Sequence, residues 1–328
     1  MTSRFDQLLG DDQLRWHLIT DAGWSELLAA ARSARDTLAT RSVRTQHVMT
    51  SCAGEPSASP EKPFVYKPYP STGELGIVPP AWAERYVSDA AINWDRFYMR
   101  NTVNAYKDRH YLDTEFAELA NDRGKQLTVV ELGCGVGNTV FPLLEANPHI
   151  FAYAVDFSQR GVAMVKAHRA YDEKRLRAAV CDITCGSLPA ELGPVQADVV
   201  TLIFVLGSVP PEKMGAALRT AVGALKPGGR LLFRDHADGD MAQQRFESSA
   251  EPKKLGPNLY VRRDRTLSFY FTTEGAAELF IRAGFRVERL EYTTRVIENR
   301  KEGLRMTRRF ITGVFVRDDN VTAGQGSG

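Results

Sequence analysis

Thr128-Val-Val-Glu-Leu-Gly-Cys-Gly-Val-Gly-Asn138 decides how the chain is read. Its first half, Thr128–Leu132, is short, apolar and β-branched, the pattern of a buried strand. It runs directly into Gly133, Gly135 and Gly137, spaced G-x-G-x-G. Glycines there let the backbone turn tightly and approach a ligand with no Cβ in the way. The helix expected next, Asn138–Ala146, turns its unpaired N–H groups toward that ligand. A nicotinamide dinucleotide fingerprint would need G-x-G-x-x-G, and that spacing is absent. A glycine turn between strand and helix that is purely structural is the alternative for the loop taken alone.

The texture repeats downstream. Strands are expected at Phe151–Val155, Ala178–Cys181, Asp198–Phe204 and Arg230–Arg234, with helices at Ser158–Ala170 and Pro211–Leu225. Apolar strands alternating with amphipathic helices predict a doubly wound, mostly parallel α/β sheet. Leu267–Phe271 reads as a further extended piece and Thr273–Ala283 as a helix. Phe285–Tyr292 and Phe310–Val316 read as two late strands. The second strand ends at Asp156, 19 residues after Gly137, where a carboxylate can accept from a ribose diol. The third ends at Asp182, where a carboxylate can accept from an exocyclic amine with Ile183 against a purine face. Ile203, on the fourth strand, closes the crevice. A lone Asp after a strand is commonly a helix cap; three signals at consecutive strand ends are harder to dismiss.

Composition bounds the alternatives. The chain has 328 residues, 36.5 kDa, a net charge of +2, 43% apolar and 25% charged residues. Those values exclude a fibre, a coiled-coil rod and a wholly disordered chain. The longest apolar stretch, Val199–Leu206, is far short of the ~20 residues that cross a bilayer. Four cysteines suit a reducing compartment rather than a disulfide framework. Cys134, Cys181 and Cys185 lack a clear fourth metal ligand and are read as buried thiols, so no metal is expected. From Glu251 to Arg317, 15 Lys or Arg stand against 8 Asp or Glu, which suggests a polyanionic partner or a solvated mixed face.

Residues 1–90 read as an N-terminal extension. They hold a candidate helix at Asp21–Leu38 and a linker, Ser51-Cys-Ala-Gly-Glu-Pro-Ser-Ala-Ser-Pro60. Six acidic residues against six Arg in the first 50 make a poor transit peptide, and no secretory apolar region is present. The main domain is assigned to 91–317, with a helical lid at 91–124, and 318–328 is read as a disordered tail. The cytoplasm is expected, with nucleus and mitochondrion left open.

The ordered set of Gly133, Asp156 and Asp182 resembles the class I S-adenosylmethionine-dependent methyltransferases. Lys226-Pro-Gly-Gly-Arg230 before the fifth strand is a turn frequent in that family. The resemblance implies a Rossmann-like, seven-stranded sheet ending in an antiparallel hairpin. Further segments narrow it: Trp94-Asp-Arg-Phe-Tyr98, Lys107-Asp-Arg-His110, Leu202-Ile-Phe-Val-Leu206, Phe233-Arg-Asp235, Asp240-Met-Ala-Gln243 and Asn258-Leu-Tyr-Val-Arg262. Together they look like the tRNA cytidine-N3 methyltransferases of the methyltransferase-like group, which make 3-methylcytidine at position 32 of the anticodon loop. His236 stands where that family has Tyr, Tyr111 where it has Trp, and residues 1–90 show no clear match.

By that resemblance S-adenosylmethionine is the cofactor. Trp94 and Tyr98 fold over it, with a helix's core stripe as the alternative. Gly133 and Gly135 hold its methionine end, Asp156 its ribose, Asp182 and Ile183 its adenine, with Ile203 beneath. Arg109 and His110 suit the cofactor carboxylate or a tRNA phosphate, and a structural ion pair is the other reading of Arg109. Asp235 is the candidate carboxylate for stabilising the cationic product base; pairing with an Arg is its alternative. Tyr260, Phe269 and Tyr270 are candidate stacking faces or core. Lys253, Lys254, Arg262, Arg263, Arg265, Arg300, Lys301, Arg305, Arg308 and Arg309 are candidates to track tRNA, and Arg234 to meet it. tRNA is the expected partner, with a tRNA synthetase or other auxiliary protein beside it and no membrane. Two other readings stand: a silent fold that only presents tRNA, and a methyltransferase for protein or a small molecule.

Overall fold

The computed structural model describes residues 77–104, 106–120, 124–249, 251–299 and 304–318. Nearly all of the N-terminal extension, its candidate helix, the tail after 318, Arg300 and Lys301 lie outside them, as does the side chain of Arg305.

Two helices come first. α1 (Pro80–Ser88) starts with proline at its first position, where the missing N–H costs nothing. α2 (Ala90–Asn101) buries Asn93, Trp94, Phe97 and Tyr98 on one face. A single helical turn, α3 (Leu112–Glu115), precedes the sheet. Then β1 (Leu127–Leu132), α4 (Val140–Ala146), β2 (Ile150–Asp156), α5 (Gln159–Lys166), β3 (Leu176–Val180), β4 (Ala197–Ile203), α6 (Pro211–Ala224) and β5 (Leu225–His236) follow. α7 (Met241–Glu247) leads into three short strands, β6 (Lys254–Gly256), β7 (Leu259–Val261) and β8 (Leu267–Phe269). α8 (Thr273–Arg282), β9 (Phe285–Asn299) and β10 (Leu304–Arg317) complete the order.

Seven strands form one sheet in the order β3-β2-β1-β4-β5-β10-β9. β1 to β5 are mutually parallel and β10 runs antiparallel to both neighbours. The expected doubly wound sheet with a final antiparallel hairpin is therefore present. One face is covered by α6 and α8, through side chains such as Leu218, Leu279 and Phe280. The other is covered by α4, α5 and the α3 turn, through Leu143, Val165 and Phe116. Continuous apolar strands follow from this two-sided burial.

Three departures from the sequence reading concern geometry. Lys226-Pro-Gly-Gly229 is not a turn before β5 but an excursion within it: Ala197 pairs with Leu225 and Val199 with Arg230. Lys226 fastens the excursion by an ion pair to Asp198 at 2.9 Å. A three-stranded sheet, β6-β7-β8, stands where the sequence predicts a single extended piece at Leu267–Phe271. The hairpin is also longer than expected: only Phe310–Val316 pair with β5, while Leu304–Arg309 pair with β9 alone. Its distal half therefore runs past the edge of β5.

Candidate active site

Strand order reverses between β1 and β4, since consecutive crossovers lead to one side from β1 and to the other from β4. Ligands bind at the carboxyl ends of strands around such a point. The loops after β1, β2 and β3 build one half of the site, and those after β4 and β5 build the other.

In the first half, Gly133 and Cys134 donate their N–H groups to the Val155 carbonyl, at 2.7 and 2.9 Å. Gly135 has φ +55, and a Cβ there would meet the Tyr98 hydroxyl at 2.5 Å. Tyr98 thus lies directly over the glycine loop. Asp156 is buried, with one oxygen accepting from the Gly135 N–H at 2.8 Å and the other from Ser158 N–H at 2.9 Å. Burial pushes its carboxyl up to about 6, against the pull of those two N–H groups. Asp182 is exposed and accepts from the Thr184 N–H and hydroxyl, so it also caps the turn Ile183–Cys185. The cap alternative is therefore met at that residue, through Oδ1. Ile203 is buried at the end of β4, and Ile183 is buried in the turn that follows β3.

α2 is pinned across both halves. The Ser158 hydroxyl donates to Asp95, and Asn93 donates to the Arg265 carbonyl at 3.1 Å. Trp94 stacks on Tyr98 at 5.7 Å, and Phe97 packs against both Tyr98 and Tyr106. The residues that resemble a lid therefore also form a core stripe. Arg109 donates to Thr139 at 3.1 Å and stands over Tyr106 and Phe204, at 5.7 and 5.5 Å from their ring centres. His110 is exposed.

Glu131, part of the quoted motif but given no role from sequence, is the acidic group the reading missed. It is buried, its Oε2 has no hydrogen-bond partner, and burial pushes its carboxyl up to about 8. Arg109, Thr139 and the Val140 N–H counteract that rise. Its place at the end of a central strand, just before the glycines, was the available signal.

In the second half, Asp235 is buried and accepts from the N–H groups of Gly207 and His236, both at 2.8 Å. Burial lifts its carboxyl to about 7, opposed by those N–H groups and by Arg262 and Arg109. Beside it, the His236 ring lies 3.2 Å from an Arg262 nitrogen. Burial and the positive charges of Arg262, Arg308 and Arg234 hold the imidazole well below its ordinary pKa, hence neutral. Its Nε2 can then accept from the guanidinium.

Several RNA candidates are corrected. Arg234 is 1% exposed, bound to Glu115 and Thr312 and stacked on Phe310, so it braces the sheet instead of meeting RNA. Arg308 is 2% exposed and paired with Asp240 at 3.0 Å. Tyr260 is wholly buried, donates to Glu247 at 2.7 Å and stacks on Phe246. Phe269 and Tyr270 are likewise buried, and none of the three offers a face to an incoming base. Arg262 is turned inward toward His236 and Ser268 rather than along a surface. Arg309 is half-buried over the Tyr292 ring, while Arg263 and Arg265 are exposed. Cys185 is exposed, unlike the buried Cys134 and Cys181. Among the described residues no cluster of His, Cys, Asp or Glu is arranged to hold a metal, and no helix is long and apolar enough to cross a membrane.

Residues 105–290 match the family described as a methyltransferase domain. The chain is similar to the tRNA N(3)-methylcytidine methyltransferase of Schizosaccharomyces pombe, with 43% identity over 71% of this chain and 95% of that protein. It is 46% identical to the tRNA N(3)-cytidine methyltransferase of Rattus norvegicus, over 71% of this chain and 81% of the other. It is 35% identical to the tRNA(Thr) (cytosine(32)-N(3))-methyltransferase of Saccharomyces cerevisiae, over 70% of this chain and 37% of that one.

Proposed function

We propose, from the premise that this chain belongs to the family of tRNA N(3)-methylcytidine methyltransferases, that it methylates N3 of cytidine 32 in the tRNA anticodon loop. The observation that carries this reading is similarity along 95% of the Schizosaccharomyces pombe relative. The site residues support it as an active enzyme rather than a silent fold.

The residues present fit S-adenosylmethionine. Glu131 Oε2 is a buried carboxylate oxygen left without a partner, which suits a cationic ligand. The loop is bare at Gly135, where a Cβ would collide with the Tyr98 hydroxyl that covers it. Gly133, Gly135 and Glu131 are assigned to its methionine end, Asp156 to the ribose, Asp182 and Ile183 to the adenine, and Ile203 to the floor. Trp94, Tyr98 and Arg109 close over it. Bound there, the cofactor supplies an electrophilic methyl group on a sulfonium.

N3 of neutral cytosine carries an in-plane lone pair and no proton, so the chain needs no strong general base. Its work is alignment and stabilisation of the positive charge that grows on the base. Asp235, fixed by two backbone N–H groups beside Arg262, is the carboxylate assigned to that charge. The base must leave the loop, where unstacking costs least in single-stranded RNA. Arg263, Arg265, Arg309 and the backbone-placed Arg305 of the distal hairpin are assigned to tRNA phosphates, with His110 at the entrance. A cytoplasmic location and an auxiliary protein such as a tRNA synthetase complete the proposal. Residues 91–317 are the methyltransferase domain in this reading, and 1–90 an extension to it.

The test is nucleoside mass spectrometry of unmodified tRNA after incubation with the purified protein and S-adenosylmethionine, with and without a tRNA synthetase fraction. Formation of 3-methylcytidine is expected. Labelled methyl appearing on protein, and never on tRNA, overturns the proposal.

A further inference from the structure

β4 ends at Ile203, and the next residue, Phe204, sits at φ +59. Side chains other than Gly seldom adopt that left-handed region, and where one does the strain commonly serves a site. The conformation is fixed from β5, because the Phe204 N–H donates to the Arg234 carbonyl at 2.7 Å. Ile203 pairs with Arg234, so Phe204 and Asp235 are the next residues along two adjacent strands. Both stand at the carboxyl end of the sheet, on the half away from the β1, β2 and β3 loops.

The ring itself is half-buried. Phe310 meets it edge-on at 5.6 Å, and His236 lies tilted at 5.3 Å. Two guanidinium groups stand over it, Arg109 at 5.5 Å and the buried Arg234 at 5.9 Å, and of these only Arg109 lies on the loop side from which a base could displace it. The ring therefore already faces a planar cation, and a methylated cytosine is also a planar cation.

We infer that Phe204 is the face on which the extruded cytosine stacks. The inference rests on the tRNA reading above. A π-face is tolerant of a neutral base and attracts one that becomes positive, so its help is greatest as the methyl arrives. Phe204 and Asp235 each follow one member of the Ile203–Arg234 pair, so one strand end supplies the stacking surface and the next supplies the countercharge.

The experiment compares wild type, Phe204→Leu, Phe204→Tyr and Phe204→Trp on unmodified tRNA. Phe204→Leu is expected to lower kcat roughly tenfold or more. Its KM for tRNA and its affinity for S-adenosylmethionine should stay within about twofold, and Phe204→Tyr should restore kcat. Phe204→Trp gives a second readout. Its added indole emission should be quenched by tRNA carrying the target cytidine and not by tRNA abasic at that position. Retained kcat in Phe204→Leu, failure of Phe204→Tyr to restore it, or equal quenching by both RNAs overturns the inference. A wild-type protein that makes no 3-methylcytidine marks failure of the underlying reading instead.

Discussion

Asp156 binds Gly135: one carboxylate oxygen at the end of β2 accepts the N–H of the loop after β1 at 2.8 Å, while the other oxygen holds Ser158 at 2.9 Å. The two cofactor-side loops are therefore one hydrogen-bonded unit, and a ligand that engages Asp156 feels both. Asp156→Asn turns one acceptor into a donor facing an N–H. An unmade buried bond of this kind costs about 1–3 kcal/mol. Affinity for S-adenosylmethionine should fall about tenfold or more by calorimetric titration. An unchanged dissociation constant would mean the carboxylate serves only the loops.

Gly135 and Tyr98 make a second pair that can be tested by a cycle. A methyl at Gly135 meets the Tyr98 hydroxyl at 2.5 Å and imposes φ +55 on an L-residue. Gly135→Ala should therefore weaken cofactor binding through two separable effects. Adding Tyr98→Phe removes the hydroxyl and relieves the worst of the clash, leaving a 3.3 Å contact with the ring and left-handed strain of roughly 1–2 kcal/mol. The double variant should bind more tightly than Gly135→Ala alone. Strict additivity would mean that Tyr98 moves aside at no cost.

What could be read in the sequence depended on how locally each signal is written. β1 to β5 announce themselves because two-sided burial demands unbroken apolar runs. Asp156 and Asp182 are legible because their place follows from where those runs stop. The distal hairpin is not, since Thr294–Asn299 and Leu304–Arg309 lie past β5 and need no alternating apolar face. Arg234 and Arg308 look like surface cations for a related reason. Their counterions, Glu115 and Asp240, lie 119 and 68 residues away, and nothing local reveals them. Phe204 is quoted in the motif, yet its positive φ is a consequence of β5 beside it. Glu131 reads as one more strand residue until its unpaired oxygen is seen.

The two kinds of arginine should separate experimentally. Arg308→Ala strands Asp240, which is 0% exposed, with its charge unpaired. Removing one member of a buried pair costs about 3–5 kcal/mol. A large fall in denaturant midpoint is expected before any effect on RNA can be read. Arg263 is exposed, so Arg263→Ala should change stability by no more than about 0.5 kcal/mol. If it meets a phosphate, the slope of log affinity against log salt should fall by about 1. A salt slope equal to that of wild type would remove Arg263 from the RNA path.

Asp235 ties activity and stability to one ionisation. Burial raises its carboxyl from 3.8 to about 7, with the Gly207 and His236 N–H groups, Arg262 and Arg109 opposing. The neighbouring His236 is held neutral and adds no step near that pH, while Asp156 and Glu131, raised to about 6 and about 8, act on cofactor binding, which saturation removes from the comparison. Only the ionised carboxylate can offset charge growing on the base. Turnover at saturating substrates should therefore rise with pH through about 7. Asp235→Asn should be slower by about a hundredfold, a typical effect for one preorganised electrostatic group, and should lack that step. Linkage sets the opposite sign for folding. A carboxyl whose folded pKa is raised contributes stability below its ordinary pKa, and that share is lost as pH climbs through the folded value. Between pH 6 and 8 the melting temperature of wild type should fall relative to Asp235→Asn while its turnover rises. A step in turnover that survives in Asp235→Asn would assign the ionisation to another group.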